Sequence, residues 1–414
     1  MPELSPVVGS KESVKGNVLT RAVRRVRAAL SISAALFALA ACTNTSFDQM
    51  NASGPVAQPV EQPGAGANIG AGQIRVGLIL PLSAQGNAGI AATSMKNAAE
   101  MALNEFKDPN IQLLVKDDAG TPQGAQLAAQ QAIDEGAELI VGPLFAQSVS
   151  AVGGVARGRN IPVIAFSTDA SVAARGVYLL SFLPESDVRR IVEFAGSRGK
   201  RSYAALLPDN AYGGVVEAAF QQEVARRGGR VAAIEKYPSD PARMAEAARR
   251  VAAAAGGIDS ILIADGADAV PQVVQALNAG GVSSKRVQLL GTGLWDDPRI
   301  MQTPGLEGGW FAAPESAGFR SFAGRYRARY GNDPVRTATL AYDAVALVAA
   351  LVKTQGAQRF SEQILTNSSG FAGIDGIFRF RADGTSERGL AVMQVAPGGA
   401  RPVSPAPKSF TPGT

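Results

Sequence analysis

The sequence predicts an α/β fold of two lobes, each built on a parallel sheet with helices on both faces. Short apolar strands alternate with helix-periodic segments from Ile74 onward. The alternation runs through two similar units, one after the other. Apolar residues make up 46% of the chain and aromatic residues only 6%, a composition that suits layers packed through small side chains.

The first unit begins with "IRVGLIL", an apolar run too short for a helix. The next segment places Met95, Ala99, Leu103 and Phe106 at helical spacing. Strand and helix patterns then alternate as "IQLLVKD", "PQGAQLAAQQAIDEG", "AELIVGP", a helix over 146–158 and "IPVIAFS". The segment "YLLSFLPES" leads the chain out of this unit.

The second unit repeats the pattern. Its strands are "SYAALLPD", "RVAAIEKY", "SILIAD", "QLLGTG" and "GGWFAAP", with helices over 211–227, 240–255 and 267–279. Two long helices follow, in "SFAGRYRARYG" and "TATLAYDAVALVAALVKTQ". The pattern ends in "IFRFRADGTSERGLAVMQV", which predicts a hairpin because Asp383-Gly384 is a favoured two-residue turn.

Residue counts exclude several classes of protein. The 414 residues contain no histidine and one cysteine, which excludes Ser-His-Asp and Cys-His sites, internal disulfides and most zinc sites. Six basic and two acidic residues lie within 1–41 and account for +4 of the net charge of +5. The remainder therefore has no basic domain for nucleic acid. We expect neither enzyme activity, nor a cofactor, a metal or nucleic-acid binding.

The N-terminus predicts export and lipidation. A basic stretch precedes the apolar run "AALSISAALFALAA", which is too short to span a bilayer and suits a secretory signal. The run ends in Leu39-Ala40-Ala41-Cys42, which resembles the bacterial lipobox. We interpret 1–41 as signal peptide, Cys42 as the lipidated residue and 42–72 as a flexible tether rich in Gly, Pro and Ala. An ordinary signal peptide with an incidental cysteine is the alternative.

Loops at the carboxyl ends of the predicted strands form the candidate binding site, because ligands of parallel α/β sheets lie there. The loops are "LPLSAQGNAG", "GPLFAQS", "FSTDAS", "PDNAYGG", "ADGAD" and "GTGLWDD". Several open a helix, whose free N–H groups attract an anion or a carboxylate. Helix capping alone would also explain each loop taken separately.

These segments resemble the type I periplasmic binding proteins of the leucine/isoleucine/valine-binding class. The resemblance rests on "IRVGLILPLSAQGNAG", "VKDDAGTPQGAQLAAQQAI", "AELIVGPLFAQSVSAV" and "IPVIAFST", and covers roughly 73–397. The stretches "GPLFAQSVSAV" and "LEGGWFAAP" look more like its lipoprotein branch, described as penicillin-binding protein activators.

The resemblance implies two Rossmann-like lobes joined by three hinge crossovers, near Leu183-Pro184, Pro314 and 368–373. The N-terminal lobe would comprise 73–183 plus 315–368. The C-terminal lobe would comprise 184–314 plus 369–398, leaving 399–414 as a disordered tail. The lobes would close on a ligand by hinge bending.

The resemblance also implies the ligand contacts. Carried over loop by loop, they are Leu82, Ser83, Phe145, Ser148, Ser167, Thr168, Tyr212, Gly213, Asp265, Trp295 and Asp296.

This sequence departs from the family pattern at several of these positions. Amino-acid binders of the family carry an acid for the α-ammonium where this chain has Gly293, and Ser148 comes late in its loop. Trp295 and Asp296 could substitute, as a stacking face and an acceptor. A surface turn with a helix cap before Pro298 is the alternative.

Two functions fit these observations. The first is a lipid-anchored periplasmic solute-binding protein for an ABC permease, with an amino-acid-like or peptidoglycan-derived ligand. The second is a lipoprotein that regulates peptidoglycan synthesis by docking on a synthase. Thr43 follows the lipobox cysteine where the enterobacterial inner-membrane pattern has Asp, which favours the outer membrane as the site of anchoring.

Overall fold

The computed structural model describes residues 68–410. The predicted signal peptide 1–41, the lipidation site Cys42 and the tether up to residue 67 therefore lie outside the described residues. Within 68–410, no helix is both long enough and apolar enough to cross a membrane.

The N-terminal lobe contains a five-stranded sheet in which every neighbouring pair is parallel. Its order is β2-β1-β3-β4-β5. The strands are β1 (Ile74–Leu80), β2 (Ile111–Asp117), β3 (Leu139–Val141), β4 (Val163–Ala165) and β5 (Val177–Leu179). Strands β3, β4 and β5 are buried throughout, as expected for a parallel sheet covered on both faces.

Helices cover the faces of the sheets in both lobes. They are α1 (Asn87–Glu105), α2 (Pro122–Asp134), α3 (Ala146–Arg157), α4 (Pro184–Ser197), α5 (Ala211–Arg226), α6 (Pro241–Ala253), α7 (Val270–Ala279), α8 (Pro298–Met301), α9 (Ser316–Tyr330), α10 (Ala338–Thr354) and α11 (Glu362–Leu365). On the N-terminal lobe, α1 packs against α10 over one face of the sheet, and α2 packs against α3 over the other.

The C-terminal lobe repeats the same strand order. Its sheet runs β7-β6-β8-β9-β10, extended by β14 and β15. The strands are β6 (Ser202–Pro208), β7 (Arg230–Tyr237), β8 (Ser260–Ile263), β9 (Gln288–Gly291), β10 (Trp310–Ala313), β14 (Ala391–Ala396) and β15 (Gly399–Ser404). The first five are parallel, and the last two are antiparallel additions at one edge. The predicted α/β fold with two similar lobes is confirmed.

The third crossover does not lie at 368–373, where it was expected. Residues 371–388 form a small antiparallel sheet of β11 (Phe371–Gly373), β12 (Gly376–Phe380) and β13 (Ser386–Arg388). Phe378 and Phe380 are buried in the core of the N-terminal lobe, and the Phe380 ring lies 5.3 Å from that of Tyr178. The segment therefore packs on the N-terminal lobe, because that is where its aromatic face is buried. The chain crosses only after Arg388, to enter β14. The hairpin turn at Asp383-Gly384 is present, between β12 and β13.

Both ends of the described chain also differ from the expectation. The sequence predicts a disordered tail over 399–414, but Gly399–Ser404 pairs with β14 as β15. Arg190 on α4 holds this end, donating from Nη2 to Ser404 Oγ at 2.6 Å. At the other end, Ile69 exchanges two backbone hydrogen bonds with Leu113 of β2. Residues 69–72 are thus part of the fold and not of the tether.

All three crossings occur at the carboxyl ends of the two sheets. The first follows the last residue of β5, and the second follows Ala313, the last residue of β10. The third enters β14 at Ala391, which pairs with Ala313. The carboxyl ends of the two sheets therefore adjoin each other, and the loops that follow the strands line the space between the lobes.

Removing β15 should destabilise the protein, because it exposes the edge of β14 and breaks the Arg190 contact. We expect truncation after Gly398 to lower the free energy of unfolding by roughly 2–4 kcal/mol. Chemical denaturation measures the change. Truncation after Phe410, which keeps residues 68–410 complete, is the matched control. Equal stability of the two truncated chains would show that β15 is dispensable.

Candidate functional site

The strand order places a crevice at the same point of each lobe. In the N-terminal lobe the order reverses between β1 and β3, and in the C-terminal lobe it reverses between β6 and β8. Connections leave such a pair of strands toward opposite faces of the sheet, which opens a crevice at their carboxyl ends. The two crevices belong to the ends of the sheets that adjoin at the crossings. We call the space between them the cleft.

The predicted contacts of the N-terminal lobe come together at its rim, because β1, β3 and β4 are neighbours in the sheet. Ser83 and Thr168 are exposed, and Phe145 is 38% exposed although it is large and apolar. Leu82 is half-buried against the lobe core. Ser148 and Ser167 are buried, and Ser167 Oγ accepts a hydrogen bond from the backbone N–H of Asp169.

The N-terminus of α3 is the feature of this rim best suited to an anion. Phe145 occupies the capping position and supplies no side-chain hydrogen bond, so the first N–H groups of α3 lack a side-chain cap. Gly142 brings the chain to this point with a φ of 96°, and a Cβ there would lie 2.0 Å from the Ile79 carbonyl oxygen. Ser148 lies in the first turn of the helix. Free N–H groups and the helix dipole together favour a carboxylate.

The C-terminal lobe contributes hydroxyl groups and carboxylates. The Tyr212 and Thr292 hydroxyls share a hydrogen bond of 2.9 Å, and Tyr237 donates to Asp265 Oδ2 at 3.0 Å. Burial raises the pKa of Tyr212, so its hydroxyl stays protonated. Gly213 has a structural reason to be glycine, because a Cβ would lie 1.8 Å from the Pro208 carbonyl oxygen.

Trp295 does not provide a stacking face in the cleft, and that expectation is wrong. The side chain is fully buried in the core of the C-terminal lobe, where its indole N–H donates to the Ile263 carbonyl at 3.0 Å. A Cβ on Gly291 would lie 2.1 Å from the indole, so the ring packs directly on β9. Leu294 is the exposed apolar residue of this loop, at 45% exposure.

Asp187 is a candidate residue that sequence reasoning missed. It lies in the first turn of α4, and its Oδ2 accepts a hydrogen bond of 2.9 Å from the backbone N–H of Gly293. Burial raises its pKa to about 7, with that hydrogen bond and Arg388 acting in the opposite direction. The carboxylate thus lies at the loop position where the sequence lacks an acid. The acidic helix start "PESD" after the first crossover was the available signal.

Asp296 remains a candidate at the exposed side of the same loop. Desolvation raises its pKa, and Arg336 of the N-terminal lobe opposes the rise. Burial raises the pKa of Glu185 on α4, and the negative charge of Asp169 in the N-terminal lobe raises it further. Charged groups of the N-terminal lobe therefore lie near the acids of α4 and of the loop after β9.

The pair Asp117-Asp118 has a structural role at the end of β2, where both carboxylates accept hydrogen bonds from the turn that follows. Asp117 Oδ1 accepts from the backbone N–H groups of Ala119 and Ser83, at 2.8 and 3.2 Å. Asp118 is fully buried, and its Oδ1 accepts from Gly120 while its Oδ2 has no partner among the described residues. Burial raises the pKa of Asp118 to about 6.

Comparison with known proteins agrees with this geometry. Residues 73–400 match the family described as periplasmic binding protein. The chain belongs to this family. The resemblance inferred from the sequence is confirmed at the level of the family, and its activator branch stays a prediction.

Solved structures of similar fold come from several bacteria. One from Rhodospirillum rubrum, provisionally assigned as a branched-chain amino acid ABC transporter, is 20% identical with a TM-score of 0.69 and covers 80% of this chain and 99% of that one. A branched-chain amino acid ABC transporter periplasmic ligand-binding protein from Burkholderia xenovorans is 19% identical with a TM-score of 0.65, covering 81% and 96%. A solute-binding protein from Rhodopseudomonas palustris in complex with 3,4-dihydroxybenzoic acid is 19% identical with a TM-score of 0.59, covering 81% and 97%.

One curated relative is an uncharacterised protein from Rickettsia prowazekii. It is 21% identical over 179 residues, which is 43% of this chain. The match spans about half the length of that relative, at 47%.

Replacing Asp118 by asparagine should remove a pH-dependent cost to stability. An acid with a raised pKa binds more protons in the folded state, so the free energy of unfolding falls as pH rises from about 4 to about 6. We expect D118N to gain stability relative to the wild type between about pH 4 and about pH 8, by up to about 3 kcal/mol. Denaturation at both pH values measures this difference. The exposed D134N variant is the control, and an equal gain in both variants would contradict the burial of Asp118.

Proposed function

We propose that this periplasmic binding protein is a lipid-anchored receptor for a small amino-acid-like solute, which it delivers to an ABC permease without performing chemistry. The observation that carries the proposal is the opposite character of the two rims of the cleft. The N-terminal lobe presents the uncapped start of α3, and the C-terminal lobe presents Asp187 and Asp265. Together they complement a zwitterion.

The carboxylate of the solute would bind at α3. Backbone N–H groups at a helix start are fixed in place, so they bind an anion without ordering any side chain. Ser148 in the first turn and the exposed Thr168 hydroxyl add side-chain donors to the same rim. This end of the site would also suit acids that have no amino group. The Rhodopseudomonas palustris relative, solved with 3,4-dihydroxybenzoic acid, holds such a ligand.

The ammonium of the solute would bind between Asp187 and Asp265. A buried ammonium is costly unless an acceptor or an opposite charge accompanies it. Asp187 already accepts from Gly293, which fixes the orientation of its carboxylate toward the loop after β9. A bound ammonium would also lower the raised pKa of Asp187 and keep it ionised.

Binding would close the lobes by bending at the three crossings. Each rim binds only one part of the solute, so both parts are bound only when the lobes approach each other. The solute would thus bind the closed form better than the open one and shift the population toward it. An ABC permease would recognise the closed form.

Replacing Asp187 by asparagine should separate the two ends of the site. We expect D187N to bind leucine roughly 30-fold or more weakly, because the ammonium loses its counter-charge. The deaminated analogue 4-methylpentanoate should bind both proteins equally. Calorimetry on the full-length chain, with other amino acids and their deaminated analogues tested in the same way, measures the affinities.

The control for this experiment is D134N, which changes the charge by the same amount on the outer face of α2. Equal losses for an amino acid and its deaminated analogue would contradict the assignment of Asp187. No binding of any solute would favour the docking regulator, and a pull-down with peptidoglycan synthases would then follow.

Replacing Cys42 by serine should release the protein from the membrane, because the thiol carries the lipid. We expect the wild type to incorporate labelled palmitate and to sediment with membranes. C42S should do neither, whereas T43S should behave as the wild type. Label in C42S would contradict the anchor.

A further inference from the structure

Arg388 is a buried cation whose nitrogen atoms have no partner in the described part of the chain. The side chain is 7% exposed at the end of β13. Its guanidinium carbon lies 4.8 Å from the centre of the Phe182 ring and 5.7 Å from that of Phe378. Within residues 68–410, Nε, Nη1 and Nη2 all lack a hydrogen-bond partner.

The carboxylates near Arg388 accept hydrogen bonds from other donors, except at Asp343 Oδ2, which is buried and has no partner among the described residues. Arg336 binds both oxygens of Asp375, at 2.9 and 2.6 Å, and the Thr339 hydroxyl donates to the same carboxylate at 2.6 Å. Asp343 Oδ1 accepts from the backbone N–H of Ile374 at 2.8 Å. Asp187 accepts from Gly293, as described above. None of these acids forms an ion pair with Arg388 in the described structure, although all three lie close enough to act on its charge.

An unpartnered guanidinium in this position is energetically unfavourable. Arginine stays protonated in proteins, so its burial without hydrogen bonds leaves a full desolvation penalty. Two of the neighbouring acids offset the charge only in part at neutral pH, because burial raises the pKa values of Asp187 and Asp343 to about 7. A negatively charged group that accepts hydrogen bonds would therefore stabilise the Arg388 guanidinium.

Arg388 lies at the hinge end of the cleft. Phe182, whose ring it covers, belongs to the first crossover, and the third crossover begins directly after Arg388. Asp187, one of its charged neighbours, is bonded to the loop after β9 that lines the cleft. A solute held between the two rims would thus have Arg388 at its hinge side.

We propose that Arg388 binds a carboxylate of the solute, so that the preferred ligands carry a second acidic group besides the one at α3. The planar guanidinium presents paired N–H donors that match the two oxygens of a carboxylate. The ligand class is therefore dicarboxylates and acidic amino acids. The inference rests on the proposed function, because it adds a second contact to the same cleft.

The test compares acids with their amides on the full-length chain. Calorimetry would be run with glutamate, aspartate, succinate, glutarate and adipate, with glutamine and asparagine as neutral isosteres, and with leucine as a monocarboxylate. We expect at least one diacid to bind the wild type roughly 30-fold or more tightly than its amide or than leucine. R388Q should abolish that preference, and R388K, which keeps the charge but not the planar donors, should retain part of it.

R401Q, at an exposed arginine on β15, is the matched control and should keep the preference. Circular dichroism checks that R388Q is folded. If R388Q is not folded, the ratio of the affinities for acids and amides in the wild type tests the inference. Equal binding of acids and amides, binding of leucine alone, or an unchanged preference in R388Q would overturn the inference and leave the proposed function standing. No binding of any solute would overturn both.

Discussion

The position of the three chain crossings determines where the candidate solute-binding cleft lies. Parallel strands all end at the same edge of their sheet, and the chain passes from one lobe to the other at that edge. The two edges therefore adjoin, and the loops that follow β1, β3 and β4 lie opposite those that follow β6, β8 and β9. Uncapped helix starts and polar side chains accumulate there because the regular structure ends there.

The same constraint concentrates charge near the hinge. Asp187, Asp343, Arg336 and Arg388 lie on elements that meet where the chain passes from one lobe to the other. Burying so many ionisable groups opposes folding, and the raised pKa values of the two acids express that cost. Aromatic rings partly offset it, since the Arg336 guanidinium lies between Phe182 and Phe319, at 4.8 and 4.6 Å. A ligand that neutralises this cluster when the lobes close would couple its own affinity to the closure of the lobes.

Most of the fold could be predicted from the sequence, because short apolar runs mark buried parallel strands and a 3.6-residue period marks amphipathic helices. The alternation of strands and helices in two similar units and the two long helices follow from that pattern. Its failures have physical causes. Periodicity cannot tell which lobe buries the aromatic face of β12, and "GARPVS" in β15 contains Gly and Pro, which are poor strand formers.

The site was less predictable than the fold. Loops could be located because they follow strands, yet their side-chain directions depend on packing. The Trp295 side chain lies in the core, where its indole N–H donates a hydrogen bond to the Ile263 carbonyl. Asp187 on α4 bonds to the loop after β9, and Arg388 on β13 lies against the ring of Phe182 in the first crossover. Only the tertiary fold brings these residues near one another.

The proposed solute binding depends most on closure of the two lobes around the solute. Pulsed electron paramagnetic resonance would measure the distance between nitroxide labels at Gln85 and Asp209, exposed residues after β1 and β6, in a C42S background. We predict that the solute with the highest affinity shortens the mean distance and narrows its distribution. An unchanged distribution at a saturating solute concentration would contradict closure, and with it the assignment of this cleft as a solute receptor.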